Sequence, residues 1–208
     1  MEKNGISNQE QNLKKRNVQN KNKDSTTEEI TSQSEPPKKS FFEWLKSSLV
    51  DFVKQFTMPK VYLHGVVGAV GSLTVLYTSA KYLPFKNDPN YLTLMKMIKE
   101  VPLISMVFLG GIPPILEEVV CRKLIFGNLK KYSKVLAYII ANIVFAVGHY
   151  NFSFQRALQH INTVPTYFVS GLVLTSTYDY DGHLLASMIA HFITNVGIPI
   201  LYHLGLWV

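Results

Sequence analysis

The chain has 208 residues, 47% of them hydrophobic, and 21 Lys and Arg against 14 Asp and Glu give it a formal net charge of +7. The positive charges lie in a low-complexity N-terminal tail and in loops beside hydrophobic segments, where attraction to anionic lipid headgroups explains them. No phosphate-binding glycine loop or nucleic-acid-binding motif occurs, so we expect no nucleic acid partner. The single cysteine, Cys121, excludes an intrachain disulfide.

Residues 1–40 form a polar tail that contains eight Lys and Arg and six Asp and Glu. We predict that this tail is disordered, because it has too little apolar surface to build a core. It also lacks the apolar stretch of a secretory signal peptide. From Phe41 to Phe56, apolar residues recur at helical spacing. We therefore predict an amphipathic helix over residues 41–60 that lies on the membrane surface, with packing against the membrane domain as the alternative.

A membrane domain is predicted over residues 61–208, where five stretches contain no Asp, Glu, Lys or Arg. A helix that crosses the hydrocarbon needs about 20 apolar residues. Four stretches reach that length, and the second reaches it if its helix continues towards Leu129. The predicted fold is all-α, a polytopic transmembrane helix bundle with five spans, or six as the alternative. The stretches are Val61–Ala80, Val101–Leu116, Val135–Gln155, Ala157–Tyr178 and Gly182–Val208.

Basic residues in the short loops predict the orientation of the bundle. The connection from Arg122 to Lys134 holds five Lys and Arg, so we expect it to be cytoplasmic, together with the N-terminal tail. The connection from Lys81 to Glu100 then lies outside despite its four lysines, which leaves a re-entrant segment or an inverted topology open. The predicted location is the plasma membrane of a bacterium, with the chain as a multi-pass protein.

Polar side chains inside the predicted membrane domain are the candidates for function, since ionisable groups at membrane depth are rare and costly. We counted residues from the predicted turns, at about 1.5 Å of rise each. Glu117, His149, His191 and Asn195 then lie roughly 14 to 22 Å from the same face of the membrane. The count predicts that all four side chains meet in one layer of the bilayer.

Helical geometry suggests different roles for the two adjacent glutamates. Glu118 and Arg122 are four residues apart and share a helix face, so we expect an ion pair that eases the burial of both. Glu117 points about 100° away and is left to face a cavity. A carboxylate beside a histidine can take a proton from water, and donors on the face shared by His191 and Asn195 can hold an oxyanion. These groups suffice for hydrolysis of an amide bond.

Three short motifs on separate hydrophobic segments resemble those of a known family. The motifs are EEVVCR from Glu117 to Arg122, FAVGH from Phe145 to His149, and HFITN from His191 to Asn195. In order and spacing they are similar to the three motifs of the CPBP intramembrane proteases, which include the type II CAAX prenyl endopeptidases and relatives linked to bacteriocin self-immunity.

The resemblance implies a role for each matching residue. Glu117 matches the catalytic glutamate that activates water, His149 the histidine that assists it, and His191 with Asn195 the pair that stabilises the oxyanion. Glu118 and Arg122 match supporting positions. Two neighbouring positions depart from the usual pattern: Cys121 stands where many members have Phe, and Lys123 where they have a small residue.

The resemblance leaves the cofactor and the substrate open. The family is widely labelled metalloprotease, yet a glutamate and histidine mechanism can be written without a metal, and the chain has no HExxH zinc motif. We expect no required cofactor, with a divalent metal such as zinc as the alternative. The expected partners are the lipid bilayer and a peptide or protein substrate, either prenylated or a leader peptide.

Two other classes of function use the same residues. A non-catalytic bacteriocin self-immunity or partner-binding membrane protein would keep the scaffold without the chemistry. A small transporter or proton-coupled channel would use the buried groups as a relay, although the sequence shows no convincing internal repeat. An intramembrane endopeptidase is the leading hypothesis, because it uses the glutamate, both histidines and the asparagine together.

Overall fold

The computed structural model describes residues 40–207, and all regular secondary structure in that range is helical. The chain divides into two units, Met1–Trp44 and Leu45–Val208, and the candidate site lies wholly in the second. The tail predicted to be disordered, residues 1–40, falls outside the described residues except for Ser40.

Ten helices in the described range form the bundle, and the predicted polytopic helical fold is confirmed. A π-helix, Val119–Phe126, connects α5 to α6, and single 3-10 turns lie at Gln55–Thr57 and Pro84–Asn87. The helices are α1 Phe41–Lys54, α2 Pro59–Tyr82, α3 Pro89–Glu100, α4 Pro102–Gly110, α5 Ile112–Glu118, α6 Gly127–Leu129, α7 Lys134–Gly148, α8 Phe154–Gln159, α9 Val164–Asp181 and α10 Leu184–His203.

Three helical runs in residues 40–207 are long and apolar enough to cross a membrane: Pro59–Tyr82, Pro102–Leu129 and Leu184–His203. The run Pro102–Leu129 continues through the glutamate pair, as its predicted span requires. Helix α7 is apolar but has only 15 residues, and α9 has 18. Helices α2, α9 and α10 pack against one another at the centre of the bundle.

The amphipathic segment near the N-terminus is helical, as α1 and the following 3-10 turn show. Beyond Trp44 most of its apolar side chains, such as Leu49 and Val53, are exposed. Phe52 instead packs against Val61 and Leu185, and the Gln55 side chain accepts a hydrogen bond of 2.9 Å from the amide of Leu185. A position on the membrane surface stays a prediction.

The third and fourth predicted stretches have different bounds in the structure. Helix α7 ends at Gly148, before a turn in which Asn151 and Phe152 have positive φ angles of 55° and 54°. Ser153 then caps the short helix α8, and α9 begins only at Val164. The physical reason is local: a proline in the first turn of α9 fits a helix start but not a helix interior.

The helix of the second span is interrupted at Gly111, which separates α4 from α5. Pro113 has no backbone N–H, so the carbonyl of Leu109 cannot accept the usual α-helical hydrogen bond. The side-chain amide of Asn195 donates to this carbonyl at 2.9 Å. A side chain of α10 therefore replaces the bond that the proline removes.

Small residues bring the central helices into close contact. Gly65 of α2 faces Ile189 of α10, and Gly71 faces Val173 of α9, as expected for glycines that allow helices to approach. Gly171 of α9 lies against α7, where an added Cβ would be 2.7 Å from Asn142 Oδ1 and 2.8 Å from the Phe145 ring. No side chain larger than hydrogen fits there without displacement of α7.

We predict that Gly171→Ala destabilises the protein by about 1 to 3 kcal/mol, because overpacking outweighs the gain in helix propensity. Gly197→Ala is the matched control, since a Cβ at Gly197 would meet Leu73 at an ordinary 3.4 Å. Thermal unfolding of both variants in the same detergent measures the difference. Equal unfolding midpoints for the two variants would contradict the packing described here.

The connection between α2 and α3 is held by a buried carboxylate, Asp88. Its side chain caps α3 by accepting hydrogen bonds from the amides of Asn90 and Tyr91 at 2.9 and 3.2 Å. Burial by itself raises the pKa of Asp88, but hydrogen bonds from Thr163, Tyr150 and Tyr167, and from the Tyr91 amide, lower it below the ordinary 3.8.

The lowered pKa of Asp88 predicts a defined dependence of stability on pH. A carboxylate with a depressed folded pKa stabilises the fold above its unfolded pKa, and this contribution is lost as the pH falls through the folded pKa. We expect native protein to unfold at a higher temperature than Asp88→Asn at pH 7, and the difference to shrink below the ordinary pKa of 3.8. A difference that stays constant with pH would contradict this assignment. Thermal unfolding of both proteins across pH 3 to 7 tests it.

Candidate active site

A fully buried ion pair lies in the middle of the second span. The Glu118 and Arg122 side chains are 0% exposed, and Glu118 Oε1 lies 3.2 Å from Arg122 Nη1. The Arg122 Nη2 group donates to the carbonyl of Gly171 at 3.0 Å, and its guanidinium lies 4.4 Å from the centre of the Phe145 ring. The predicted ion pair is therefore present, and it joins the second span to α7 and α9.

The backbone changes its helical form directly after the two glutamates. From Val119 to Phe126 the chain is a π-helix, and the Gly127 amide donates to the carbonyl of Arg122, five residues earlier. Such wide turns are rare and frequently occur at functional sites. The spacing of the apolar residues predicts an α-helix throughout, so this turn was not predicted from the sequence.

His191 of α10 lies between the two glutamates. Its Nδ1 forms a hydrogen bond of 2.9 Å with Glu118 Oε1, and its Nε2 lies 3.7 Å from Glu117 Oε2. The imidazole is nearly buried, whereas the Glu117 side chain is 40% exposed. Glu118 thus fixes the orientation of the His191 ring, and Glu117 keeps access to open space.

That open space is a cavity of about 330 Å³, and all four residues predicted from the sequence line it: Glu117, His149, His191 and Asn195. Much of the remaining wall is apolar and includes Leu76, Leu94, Phe108, Ile198 and Trp207. An internal cavity with a few convergent polar groups in an apolar wall is the usual form of a binding site. The structure brings the four residues together, while their chemical roles stay predictions.

His149 lies just beyond the end of α7, where neighbours orient its ring. Its Nδ1 forms a hydrogen bond of 2.9 Å with the carbonyl of Phe145, which leaves Nε2 available for other partners. The imidazole stacks on the Tyr167 ring at 4.0 Å between centres. The Phe145 ring lies 4.9 Å from the His149 ring and 5.7 Å from the His191 ring.

Asn195 has two N–H donors on its side chain, and one of them is used to bind the carbonyl of Leu109. The sequence predicted that Asn195 and His191 direct donors to one point. In the structure one Asn195 donor instead supports the broken helix beside the site, which leaves its second donor for the cavity.

Other candidate side chains lie apart from the cavity. Cys121 is buried in an apolar cluster with Ala69 and Leu174, as expected for a packing residue. Four further histidines contact other groups and do not line the cavity. His64 and His183 bind Asp181, His160 stacks on Tyr150, and the ring of His203 contacts that of Tyr202.

The side chains of the cavity do not form an evident metal site. Within residues 40–207, no group of three or more His, Cys, Asp or Glu side chains could hold a metal ion. Both nitrogens of His191 are directed at glutamates, and Nδ1 of His149 binds a backbone carbonyl. Because these side chains do not fit the ligand set of a metal ion, the proposed mechanism has no step that uses a metal.

Two residues at or near the site, Tyr167 and Asp88, were not predicted from the sequence. Asp88 precedes Pro89 at the start of α3, and Asp followed by Pro is a typical helix start. That pattern predicts a cap, but not that the carboxylate is buried against three hydroxyl groups. Tyr167 gave no signal, because its contact with His149 depends on the packing of α9 against α7.

A helical membrane bundle with carboxylate, imidazole and amide side chains around an internal cavity has the features of an intramembrane protease. The model of the Rce1-like type II CAAX prenyl endopeptidase family matches residues 99–197, a range that contains all three motifs. This match supports a protease of the CPBP family, which is the family that the three motifs predict.

Two curated relatives are similar to the chain, and one of them is named as a CAAX protease. The chain is 32% identical over 124 residues to the membrane-embedded CAAX protease MroQ of Staphylococcus aureus. This match covers 56% of this chain and 46% of the relative. It is 26% identical over 101 residues to the UPF0177 protein YxdF of Lactococcus lactis, with 48% and 51% covered. The matches span about half the length of these relatives. No solved structure matches the chain significantly.

The buried network predicts that the two adjacent glutamates differ in their effect on stability. Glu118→Gln leaves the Arg122 guanidinium buried without a counter-charge, which we expect to cost about 3 to 5 kcal/mol. Glu117→Gln, at the exposed neighbour, is expected to change stability by less than about 1 kcal/mol. Thermal unfolding in detergent compares the two. A larger loss for Glu117→Gln than for Glu118→Gln would contradict the network.

Proposed function

We propose that the protein is an intramembrane endopeptidase that hydrolyses a peptide bond with a water activated by Glu117. One observation carries the proposal: Glu117, His149, His191 and Asn195 line a single cavity inside a membrane bundle of a CPBP-type protease. The other features of the site fit the separate steps of this reaction.

Glu117 is the general base. Its carboxylate is the more exposed of the two glutamates, so water reaches it, and it takes a proton while the water oxygen attacks the carbonyl carbon of the substrate. His149 assists by holding this water. In the neutral ring, the Nδ1–H group donates a hydrogen bond to the carbonyl oxygen of Phe145. Nε2 then carries the free lone pair, which accepts a hydrogen bond from the water.

His191 and Asn195 stabilise the oxyanion that this attack creates. Glu118 holds the Nδ1 side of the His191 ring by a hydrogen bond, so the Nε2 side faces Glu117 and the cavity. An N–H at Nε2 is the first proposed donor to the oxyanion. The second N–H of Asn195 is the other donor. Such pre-oriented donors are a main source of catalysis in acyl transfer.

The tetrahedral intermediate then collapses. The carbonyl forms again, the C–N bond breaks, and Glu117 returns its proton to the leaving amine. The products are one peptide with a new carboxyl group and one with a new amino group, and Glu117 is again ionised.

The substrate is proposed to be a peptide or protein segment that reaches the cavity from the bilayer or its surface, with prenylated proteins and leader peptides as the two classes to test. The protein is proposed to be a multi-pass protein of a bacterial plasma membrane, with the tail and the basic connection between Arg122 and Lys134 in the cytoplasm. Lys130 and Lys134 of that connection bind Asp179 at 3.7 and 2.6 Å, so Asp179 lies on the same side.

A non-catalytic function on the same scaffold is the second candidate, either bacteriocin self-immunity or binding of another partner. The observation that favours it is the hydrogen bond from Asn195 to Leu109. This bond uses one of the two N–H groups of the Asn195 side chain and gives Asn195 a structural role that needs no catalysis.

The test is cleavage of a prenylated CaaX peptide and a pool of bacterial leader peptides by purified protein in liposomes. Glu117→Gln is expected to reduce turnover by about 10²- to 10⁴-fold, the usual contribution of a general base. Glu100→Gln is the matched control, because Glu100 is an exposed residue of α3 that pairs only with Lys96 in the described structure. This control is expected to leave turnover unchanged.

Cleavage that persists in Glu117→Gln would overturn the proposed role of Glu117. Cleavage that is lost with chelator would require a metal in the mechanism. If native protein cleaves neither class of peptide, the non-catalytic candidate is favoured, and protection of cells by Glu117→Gln then tests it directly.

A further inference from the structure

Asp88 lies outside the three motifs, yet its hydrogen bonds lead directly to His149. The side chain is fully buried, and its Oδ1 accepts a hydrogen bond of 2.8 Å from the hydroxyl of Tyr167. The ring of the same tyrosine stacks on the His149 imidazole at 4.0 Å between centres and 26° between planes. One residue thus connects the carboxylate to the face of the histidine.

A second connection reaches the backbone next to His149. The hydroxyl of Tyr150, the following residue, donates to Asp88 Oδ2 at 2.8 Å. Thr163, which precedes α9, donates to the same oxygen at 2.7 Å. Asp88 therefore binds both the residue after His149 and the residue stacked on its ring.

His149 needs such support because regular helix does not hold it. It caps the C-terminal end of α7, and two residues with positive φ, Asn151 and Phe152, follow within three positions. The hydrogen bond from Nδ1 to the Phe145 carbonyl fixes one ring nitrogen. The stacked Tyr167 ring, together with the Phe145 ring 4.9 Å away, then limits rotation of the imidazole plane.

We propose that Asp88 is a positioning residue, which holds the His149 imidazole against the cavity through Tyr167 and Tyr150. The inference rests on the proposed function, because it gives Asp88, a residue of the connection between α2 and α3, a role in the proposed reaction. Asn90, in the first turn of α3, also binds this tyrosine: its side-chain amide donates to the Tyr167 hydroxyl at 3.1 Å. Asp88 thus orients a side chain of the site without lining the cavity itself.

Three variants separate positioning from folding. Asp88→Ser keeps a good helix cap for α3, but its side chain is too short to reach the tyrosine hydroxyls. Tyr167→Phe keeps the ring on His149 and removes only the hydroxyl that binds Asp88. Asp88→Asn keeps the size and an acceptor oxygen, and it is the conservative variant. Asp179→Ser is the matched control, since Asp179 also accepts a tyrosine hydroxyl, that of Tyr138, but does not line the cavity.

The first readout is the side-chain NMR spectrum of histidine in full-length, isotope-labelled protein, with the His149 signal assigned from His149→Gln. We expect Asp88→Ser and Tyr167→Phe to shift or split the His149 signal and to leave those of His64 and His183 unchanged. Asp88→Asn is expected to restore most of the native signal, and Asp179→Ser to leave it unchanged.

The second readout is kinetic and uses whichever peptide the native protein cleaves. Misplacement of a catalytic group lowers turnover more than binding, so we expect kcat to fall by about tenfold or more in Asp88→Ser and Tyr167→Phe. KM is expected to stay within about threefold, because Asp88 does not line the cavity and Tyr167→Phe keeps the ring that does.

An unchanged His149 signal in both Asp88→Ser and Tyr167→Phe would overturn the inference, as would an equal shift in Asp179→Ser. If Asp88→Ser does not fold, Tyr167→Phe decides alone. The NMR readout needs no substrate, so the two proposals fail separately. If the variants change the His149 signal but native protein has no peptidase activity, the positioning contact is supported and the proposed function is overturned. If native protein cleaves peptide but the variants leave the His149 signal unchanged, the proposed function is supported and the positioning contact is overturned.

Discussion

The buried pair of Glu118 and Arg122 is the interaction on which the rest of the site depends. A charge in an apolar interior is costly unless it is paired and its remaining polar atoms have partners. Here two partners come from other helices: His191 of α10 binds Glu118, and the carbonyl of Gly171 in α9 accepts a hydrogen bond from Arg122. Within the described residues, Glu118 Oε2 and Arg122 Nε have no hydrogen-bond partner, so the ion pair itself and these two bonds offset the cost of burial. The pair therefore joins the second span to α9 and α10. The neighbouring Glu117 is then held at the cavity without being buried itself.

Irregular backbone on both sides of the glutamates allows this arrangement. The second span is broken at Gly111 before them and widens into a π-helix at Val119 after them. Irregular backbone at membrane depth is tolerated where it is enclosed by protein or lines a cavity, since free polar groups have no water to bind there. The hydrogen bond from Asn195 to Leu109 meets this requirement, and it couples the break to the third motif.

The sequence was sufficient for the helical class, the family and the four residues that line the cavity. It was less accurate for helix ends, as α7 and α9 show: both are shorter than the uncharged stretches that predicted them. An uncharged stretch indicates which residues can lie in lipid or in a protein core. It does not indicate where a turn ends the helix within that stretch. The Ser153 cap and the proline after Val164 are local signals for a turn between these helices. The prediction was based on the absence of charge and did not use them.

By itself, the sequence determined the apolar segments and the depth of the polar residues within them, because both depend on composition and on distance along one helix. Only the tertiary structure decided which groups touch. Tyr167 and Asp88 are 79 positions apart, and Asn195 and Leu109 are 86 apart. Contacts at such separations follow from how the helices pack, which no single segment encodes.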